Sequence, residues 1–427
     1  MTNQTATAQS VQQPTPQILG SSLATTAKAS PTPSAPMYAT STPRLLRMIR
    51  NVVIGALLLF AGLTIIGTIA PGVALGSARD EVTFGMELRN ARATLAEADR
   101  RASVAFLDPK AAATTGEWAT YESTLDKVSS QLVLAAAQHP GDATALAAVQ
   151  TQVSDYRRAV EAARTVAVTD ASSGGTQYAA TAAKLAPPLA SLATLAQSSD
   201  ARVGSGAVWS VGIWAVVAAW LALVVLVLAS VLIARRTRRV LNLGLVVGVV
   251  LVGIALFLVS TANGMVQQSV TQVRTTSLTS ARIHADTRAL AEQAKAAEDR
   301  SLLSAGSGSN DYAQAATTLE SFLVQLPDQA ERTKQTDLWR AYTTAHQALS
   351  SSLTEAKAQA RSTTLTPLTA FVDQAQTASD TNASDAGTAL GRAQDSQLPM
   401  GIIASLLCLL ATGAALWGIT RRLTEYV

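Results

Sequence analysis

Four stretches of the sequence are long and apolar enough to cross a lipid bilayer. They lie at residues 52–76, 208–234, 240–261 and 400–420, and none of them contains Asp, Glu, Lys or Arg. A helix needs about 20 mostly apolar residues to cross a hydrocarbon layer of roughly 30 Å. The sequence therefore predicts an all-α membrane protein with four transmembrane helices. The lack of charge within the stretches argues against a pump or coupled transporter, whose proton and ion pathways need such groups.

Clusters of arginine flank the apolar stretches and predict the direction in which the chain crosses the membrane. They comprise Arg44, Arg47, Arg50, Arg235, Arg236, Arg238, Arg239, Arg421 and Arg422. Because basic residues collect on the cytoplasmic side, four crossings of the cell membrane would leave both termini in the cytoplasm. We expect these arginines to contact lipid head groups or a cytoplasmic protein partner.

The same clusters account for the net positive charge of the chain, which is +4 from 33 basic and 29 acidic residues. Without the nine flanking arginines, the remaining sequence has more acidic than basic residues. A nucleic-acid interface needs a basic face on a folded domain. We therefore expect no nucleic-acid partner.

The apolar stretches divide the chain into nine predicted segments. These are a disordered cytoplasmic tail at 1–43, transmembrane helices at 44–77, 207–234, 240–261 and 399–420, extracytoplasmic helical bundles at 78–206 and 262–398, a basic cytoplasmic hinge at 235–239, and a cytoplasmic tail at 421–427. The first tail is rich in Ser, Thr, Pro, Gln and Ala, a composition that cannot bury enough apolar surface to fold. It is either a docking or phosphorylation tail or an inert leader. The first apolar stretch exceeds the roughly 7–15 residues of a signal-peptide core, so we expect an uncleaved anchor.

Hydrophobic periodicity predicts four antiparallel helices in the first bundle. Apolar residues recur there in steps of three and four, the spacing of one face of a helix. The four stripes are Phe84, Leu88, Ala91, Leu95, Ala98, Ala102 and Ala105; Trp118, Tyr121, Leu125, Val128, Leu132 and Ala135; Leu146, Val149, Val153, Tyr156, Val160, Ala163 and Ala167; and Tyr178, Ala182, Leu185, Leu189, Leu192 and Ala196. Turns are predicted at 108–109, 139–142 and 172–175 from their Gly, Pro, Asp and Ser content.

The second bundle shows the same plan and predicts a duplicated four-helix bundle. Trp118-Ala119 with Thr124-Leu125 matches Tyr312-Ala313 with Thr318-Leu319. Arg92, Leu95, Ala96 and Glu97 similarly match Arg288, Leu290, Ala291 and Glu292. A weaker stripe runs through Leu338, Tyr342, Ala345 and Leu349, with turns predicted at 306–308, 327–328 and 367.

The sequence contains no recognisable catalytic motif, and we expect neither an enzyme nor a cofactor. One cysteine, Cys408, and three scattered histidines predict no metal site. Arg100, Arg101, Arg157 and Arg158, with Glu97, Asp99, Asp155 and Glu161 nearby, could hold a carboxylate ligand or contact a partner. The alternative is a solvated helix face with ion pairs between successive turns. Trp118, Tyr156, Trp339 and Tyr342 are predicted to pack in the cores.

The arrangement of a span, a helical bundle and a second span resembles the ligand-binding part of bacterial chemoreceptors and sensor kinases, without their cytoplasmic output domains. The whole plan, with the Ser/Thr/Pro/Ala-rich leader and the ending Trp417-Gly418-Ile419 followed by Arg422-Leu423 and Glu425-Tyr426, resembles the GlnX family of four-span membrane proteins from high-GC Gram-positive bacteria. That resemblance implies two partners, a glutamine-binding lipoprotein outside the membrane and the Ser/Thr protein kinase G inside it.

The leading hypothesis is a non-enzymatic signal transducer. It would relay extracytoplasmic amino-acid availability, of the glutamate or glutamine type, from a solute-binding lipoprotein to a cytoplasmic Ser/Thr protein kinase. An envelope scaffold is the alternative, and a transport component is a third. A homo-oligomer is compatible with each of them.

Overall fold

The computed structural model describes residues 42–107, 116–205, 208–237, 243–304, 308–350 and 363–424. Nearly all of the predicted disordered tail, together with Arg238, Arg239 and the last three residues, lies outside this part of the chain. The described helices are α1 (Thr42–Leu107), α2 (Glu117–Gln138), α3 (Ala143–Thr169), α4 (Ala171–Ala180), α5 (Ala182–Ser205), α6 (Val208–Thr237), α7 (Leu243–Thr275), α8 (Ser277–Leu303), α9 (Ser309–Val324), α10 (Gln329–Ser350) and α11 (Leu365–Thr424). No strand occurs within the described ranges, as the all-α prediction requires.

Four described helices are long and apolar enough to cross a membrane, by length and composition. They are α1, α6, α11 and the continuous stretch formed by α7 and α8, which counts as one. Their apolar parts share one core that includes Phe60, Leu226, Val252 and the buried Cys408. Large apolar side chains also point outward, among them Leu59, Trp220, Phe257 and Leu410. Such an apolar exterior would be costly in water but suits lipid. The prediction of a four-span, multi-pass membrane protein is supported.

Two of these helices continue without interruption from the apolar region into the polar sequence. Helix α1 has 66 residues and α11 has 60. The predicted boundaries at 77 and 399 therefore fall inside continuous helices, where the surroundings change from apolar to polar. Helices α7 and α8 follow one another with only Thr276 between them.

The first polar segment, which we define as residues 78–205, packs around the predicted apolar stripes. Every stripe residue is buried except Ala182, which is half-buried. The second and third stripes lie on α2 and α3, as expected. The predicted fourth helix is two helices, α4 and α5, which meet at Thr181.

The turn predicted at 172–175 is wrong, because these residues lie inside α4. The chain turns two residues earlier, at Asp170. Its carboxylate accepts hydrogen bonds from the backbone N–H groups of Ser172 and Ser173 and so caps α4. The glycines instead permit close packing: a Cβ on Gly174 would lie 2.4 Å from the Cβ of Ala167.

The second polar segment, residues 262–398, contains a separate core built from α8, α9, α10 and α11. Its large members are Trp339, Tyr342, Leu319 and Phe371, all buried. On α10 the buried stripe is Gln335, Trp339, Tyr342 and Leu349, whereas the predicted Leu338 and Ala345 are only half-buried. The turn at 327–328 is confirmed, and Asp328 caps the start of α10. Pro367 lies inside the first turn of α11, a position that proline tolerates, so the turn predicted there is wrong.

Candidate functional site

The two polar segments meet where the C-terminal part of α1 packs along α8. Helix α8 is buried on nearly every face although its sequence is polar. Alanines at 281, 285, 289, 291, 294, 296 and 297 are all buried. Because these side chains are small, helices can approach α8 from several sides, and its charged side chains are then enclosed. We call the buried residues Asp99, Arg100, Glu292, Lys295, Glu298, Asp299 and Arg300 the central charge network.

Asp99 on α1 accepts hydrogen bonds from three directions. The hydroxyls of Tyr156 and Tyr178 donate to its Oδ1 at 2.8 and 2.7 Å, and Nη1 of Arg300 donates to its Oδ2 at 2.6 Å. Burial, and then the negative charge of Asp99, raise the pKa of both tyrosines well above the ordinary value. Burial lowers the pKa of Arg300, but the charge of Asp99, the nearby tyrosines and the hydrogen bond to Asp99 together outweigh burial, and the net direction is upward. Arg300 is therefore held in its charged form.

A second buried group surrounds Lys295. Its Nζ donates to Oε1 of Glu298 and to Oδ1 of Asp299, both at 2.5 Å. Ser103 of α1 donates to Oδ2 of Asp299 at 2.7 Å, which ties this group to the first segment. Burial raises the pKa of Asp299 against the opposing charge of Lys295.

Glu298 connects α8 to α10. Its Oε2 lies 2.6 Å from Nδ1 of His346 and accepts the Tyr342 hydroxyl at 3.1 Å, and Thr364 donates to Oε1. Burial alone would raise the pKa of Glu298, but the charge of Lys295 and the hydrogen bond from His346 lower it to about 2. Each segment thus has one buried carboxylate that accepts a tyrosine hydroxyl, Asp99 in the first and Glu298 in the second.

A further set of ion pairs lies closer to the apolar helices. Arg89 contacts Asp200 at 2.5 Å, and Arg282 contacts the same carboxylate at 2.9 Å. Arg92 contacts Asp286 at 2.9 Å. Burial lowers the pKa of Arg282 to about 10, so this guanidinium stays charged at neutral pH. Polar contacts between α1 and α8 therefore extend over several helical turns.

The structure separates the four arginines predicted to contact a ligand. Arg100 is buried and bonds Glu292 of α8, and Arg101 pairs with Glu97 and Glu117. Both line a small cleft of about 150 Å³ that also includes Arg288 and Asp373. Arg157 and Arg158 lie on the exposed side of α3, paired with Asp126 and Asp155 respectively. The solvated-face alternative describes this second pair, whereas Arg100 belongs to the central charge network.

The described arginines among those predicted to flank the spans lie at one end of the apolar helices. Met48, one residue beyond Arg47, and Arg235 line the same groove between α1 and α6. At the same end Gly244 of α7 lies against Gly418 of α11, three residues before Arg421. Arg47, Arg235 and Arg421 are exposed, and Arg50 is half-buried. Arg44, Arg236 and Arg422 lie in α1, α6 and α11.

Sequence reasoning missed most of the central charge network. Of its α8 members the sequence pattern identifies only Glu292, as part of the repeat. A usable signal existed, because an Asp-Arg pair follows an alanine-rich run in each segment, as Asp99-Arg100 and Asp299-Arg300.

Within the described ranges, no group of three or more His, Cys, Asp or Glu side chains has an arrangement that could hold a metal ion.

Residues 78–207 match the family model of an actinobacterial sensor domain. The match covers the stretch between the first two apolar helices and includes Asp99, Tyr156 and Tyr178. No curated protein and no solved structure matches the chain. The chain therefore combines a sensor-domain sequence with four helices that could span a membrane, which fits a membrane sensor protein of actinobacteria.

Proposed function

We propose that the protein is a non-enzymatic signal transducer of the cell membrane, with both termini in the cytoplasm and both polar segments outside. The observation that carries the proposal is the sensor-domain match over residues 78–207, placed between two apolar helices. The arginine-bearing ends of these helices would face the cytoplasm under the positive-inside rule.

The central charge network supports a role in coupling the two segments. Asp99–Arg300 and Ser103–Asp299 join α1 to α8, and both helices lead directly toward apolar spans. A small shift of one helix against the other is a known mode of switching at packed interfaces. A signal received by one segment would thus reach the spans through α1 and through α7–α8.

The more specific proposal concerns the partners. A solute-binding lipoprotein would dock outside, and a Ser/Thr protein kinase would dock on the arginine-bearing end inside, so that amino-acid availability controls phosphorylation. The exposed Arg47, Arg235 and Arg421 offer a basic surface for an acidic protein face or for anionic lipids. The sensor-domain match and the resemblance of the whole plan to the GlnX family support this pairing.

Crosslinking in intact membranes followed by affinity capture of the tagged chain tests the partners. The proposal expects recovery of a lipoprotein and a kinase, and a change in kinase-substrate phosphorylation when L-glutamine or L-glutamate is added. Arg92→Ala, which breaks the contact with Asp286 between α1 and α8, should weaken this response. Arg158→Ala, on the exposed face of α3, is the matched control and should respond as the wild type. Recovery of neither partner would refute the specific proposal.

Topology is tested separately by cysteine labelling in a Cys408→Ser background. Thr151→Cys lies on an exposed position of α3 and Thr424→Cys at the end of α11. A membrane-impermeant maleimide added to whole cells should label the first and not the second. The reverse pattern would place the polar segments inside.

An envelope scaffold is the second candidate, and the long uninterrupted helices α1 and α11 favour it. It expects that deletion of the gene alters cell shape or wall integrity while growth on glutamate or glutamine as nitrogen source stays normal. The transducer expects the opposite pair of results.

A further inference from the structure

A cleft of about 530 Å³ opens between α5 of the first polar segment and helices α8 and α9 of the second. Its size lies within the range of roughly 300–1,000 Å³ that is typical of small-molecule sites. Its walls include Ala186, Leu189, Gln293, Arg300, Asp311 and Thr318. The position at the junction of two packing units is also one where ligand sites commonly form.

Arg300 lines this cleft and has an unused donor. The residue is only 6% exposed and its Nη1 is occupied by Asp99. Its Nε is buried and has no acceptor among the described residues. A buried donor without a partner costs free energy, so an acceptor from outside the chain would be stabilised there.

Gln293 supplies a second unused donor on the same wall. It stands seven residues before Arg300 on α8, which is two helical turns along one face. Its Nε2 is likewise buried and lacks an acceptor in the described part of the chain. Two amide-type or guanidinium donors that line one cleft favour an oxygen acceptor such as a carboxylate.

The surrounding charges select against a ligand with net negative charge. Asp99 already neutralises Arg300, and the central charge network contains four acidic and three basic residues. A dianion would add to this excess of acid, whereas a zwitterion would not. Asp311 lines the cleft on α9 and is exposed, where it can accept a ligand ammonium group. Apolar wall residues such as Leu185 and Leu290 remain for the carbon chain.

We propose that this cleft binds a free α-amino acid as its zwitterion, with the carboxylate toward Arg300 and Gln293 and the ammonium group toward Asp311. This inference deepens the proposed function and rests on it for the link to signalling, since a transducer that reads only a lipoprotein needs no site of its own. Bound ligand would contact α5 and α8 together, and would therefore stabilise the contact between the two segments.

Binding is measured by calorimetry on the full chain in lipid nanodiscs, without lipoprotein or kinase. The probes are the common L-amino acids, with L-glutamine, L-glutamate and L-leucine first. Succinate, which lacks the ammonium group, and putrescine, which lacks the carboxylate, are the comparison ligands. Saturable binding of at least one amino acid, much stronger than that of succinate and putrescine, is the expected result.

Two variant pairs locate the site without disturbing Asp99–Arg300. Ala186→Trp fills the cleft and should abolish binding, whereas Ala190→Trp, exposed one turn further along α5, should leave it unchanged. Asp311→Asn should weaken binding about tenfold or more, the usual effect of losing a hydrogen bond to a charged group. Asp337→Asn, an exposed carboxylate on α10, should have no effect. Circular dichroism of each variant verifies that the helices are intact.

Three results would overturn the proposal: no binding by any amino acid, equal binding of succinate, or wild-type binding by Ala186→Trp. A kinase response to amino acids in cells, with no direct binding to the purified chain, would reject this site and keep the proposed function. Direct binding with no kinase response to amino acids would reject the proposed signalling role and keep the site.

Discussion

Asp99 of α1 and Arg300 of α8 form a buried ion pair with 2.6 Å between Oδ2 and Nη1, and the two residues lie 201 positions apart in the chain. The pair joins the two polar segments at a point where both side chains are almost fully buried. Buried ion pairs contribute little to stability when both partners are compared with apolar residues, but removal of one partner leaves an uncompensated charge. The pair is therefore better understood as a constraint on which surfaces of α1 and α8 meet.

Removal of Asp99 should destabilise the protein strongly. In Asp99→Ala the guanidinium of Arg300 loses its counter-charge and two tyrosine hydroxyls lose their acceptor, so we expect a loss of about 3–5 kcal/mol in the free energy of unfolding. Asp155→Ala removes an exposed carboxylate paired with Arg158 and should cost at most about 1 kcal/mol. Denaturant titration in detergent micelles measures both. Similar losses for the two variants would contradict the assignment.

Two buried tyrosines of the first polar segment differ in whether their hydroxyl has a hydrogen-bond acceptor, so their removal should affect stability differently. Tyr156 donates to Asp99, whereas the Tyr121 hydroxyl is buried without a partner among the described residues. Tyr156→Phe removes a hydrogen bond to a charged group and should cost about 1.5–3 kcal/mol. Tyr121→Phe removes an unsatisfied hydroxyl and should be neutral or stabilising. Thermal unfolding of the two variants under identical conditions tests the order.

Stability should also fall in acid because of Glu298. Its folded-state pKa is about 2, below the usual 4.5, owing to Lys295 and His346. A lowered carboxylate pKa stabilises the fold above the unfolded pKa, and this contribution is lost as pH falls from about 4.5 toward 2. The advantage of wild type over Glu298→Gln should therefore shrink across that range, as followed by denaturant titration at stepped pH. An advantage that is constant across the range would show that Glu298 titrates normally.

Close helix packing in the apolar region depends on Gly244. A Cβ at this position of α7 would lie 2.4 Å from the Ala414 carbonyl oxygen and 2.6 Å from the Cα of Gly418 on α11. Small residues allow membrane helices to approach in this way, so Gly244→Ala should force α7 and α11 apart and lower the thermal unfolding temperature in nanodiscs. Gly253→Ala, on the same helix with no atom within 4 Å, is the control and should be neutral.

Periodic sequence patterns predicted the packing of the first segment well. The stripes from Phe84 to Ala105, Trp118 to Ala135 and Leu146 to Ala167 are all buried. These helices each turn one apolar face inward, so spacing alone identifies the buried positions. The four apolar helices followed from length and composition in the same manner.

The central charge network did not follow from periodicity, because α8 has no single inward face. Lys295, Asp299 and Arg300 are enclosed by several helices at once. Lys295 pairs within α8, whereas the partners of Asp299 and Arg300 on α1 lie more than 190 positions away. The usual expectation for such charges is a solvated face, and it describes Arg157 and Arg158. Only the tertiary arrangement distinguishes the two situations.

The length of α1 has a mechanical consequence. Val53 in the apolar core and Asp99 in the central charge network belong to the same continuous helix, and 46 residues at 1.5 Å each separate them by about 70 Å. A rod of that length acts as a lever, in which a tilt at one end becomes a proportionally larger lateral displacement at the other. If the helix moves as a rigid body, a sub-ångström displacement beside Asp99 is also a change in the angle between the first span and the helices that pack against it.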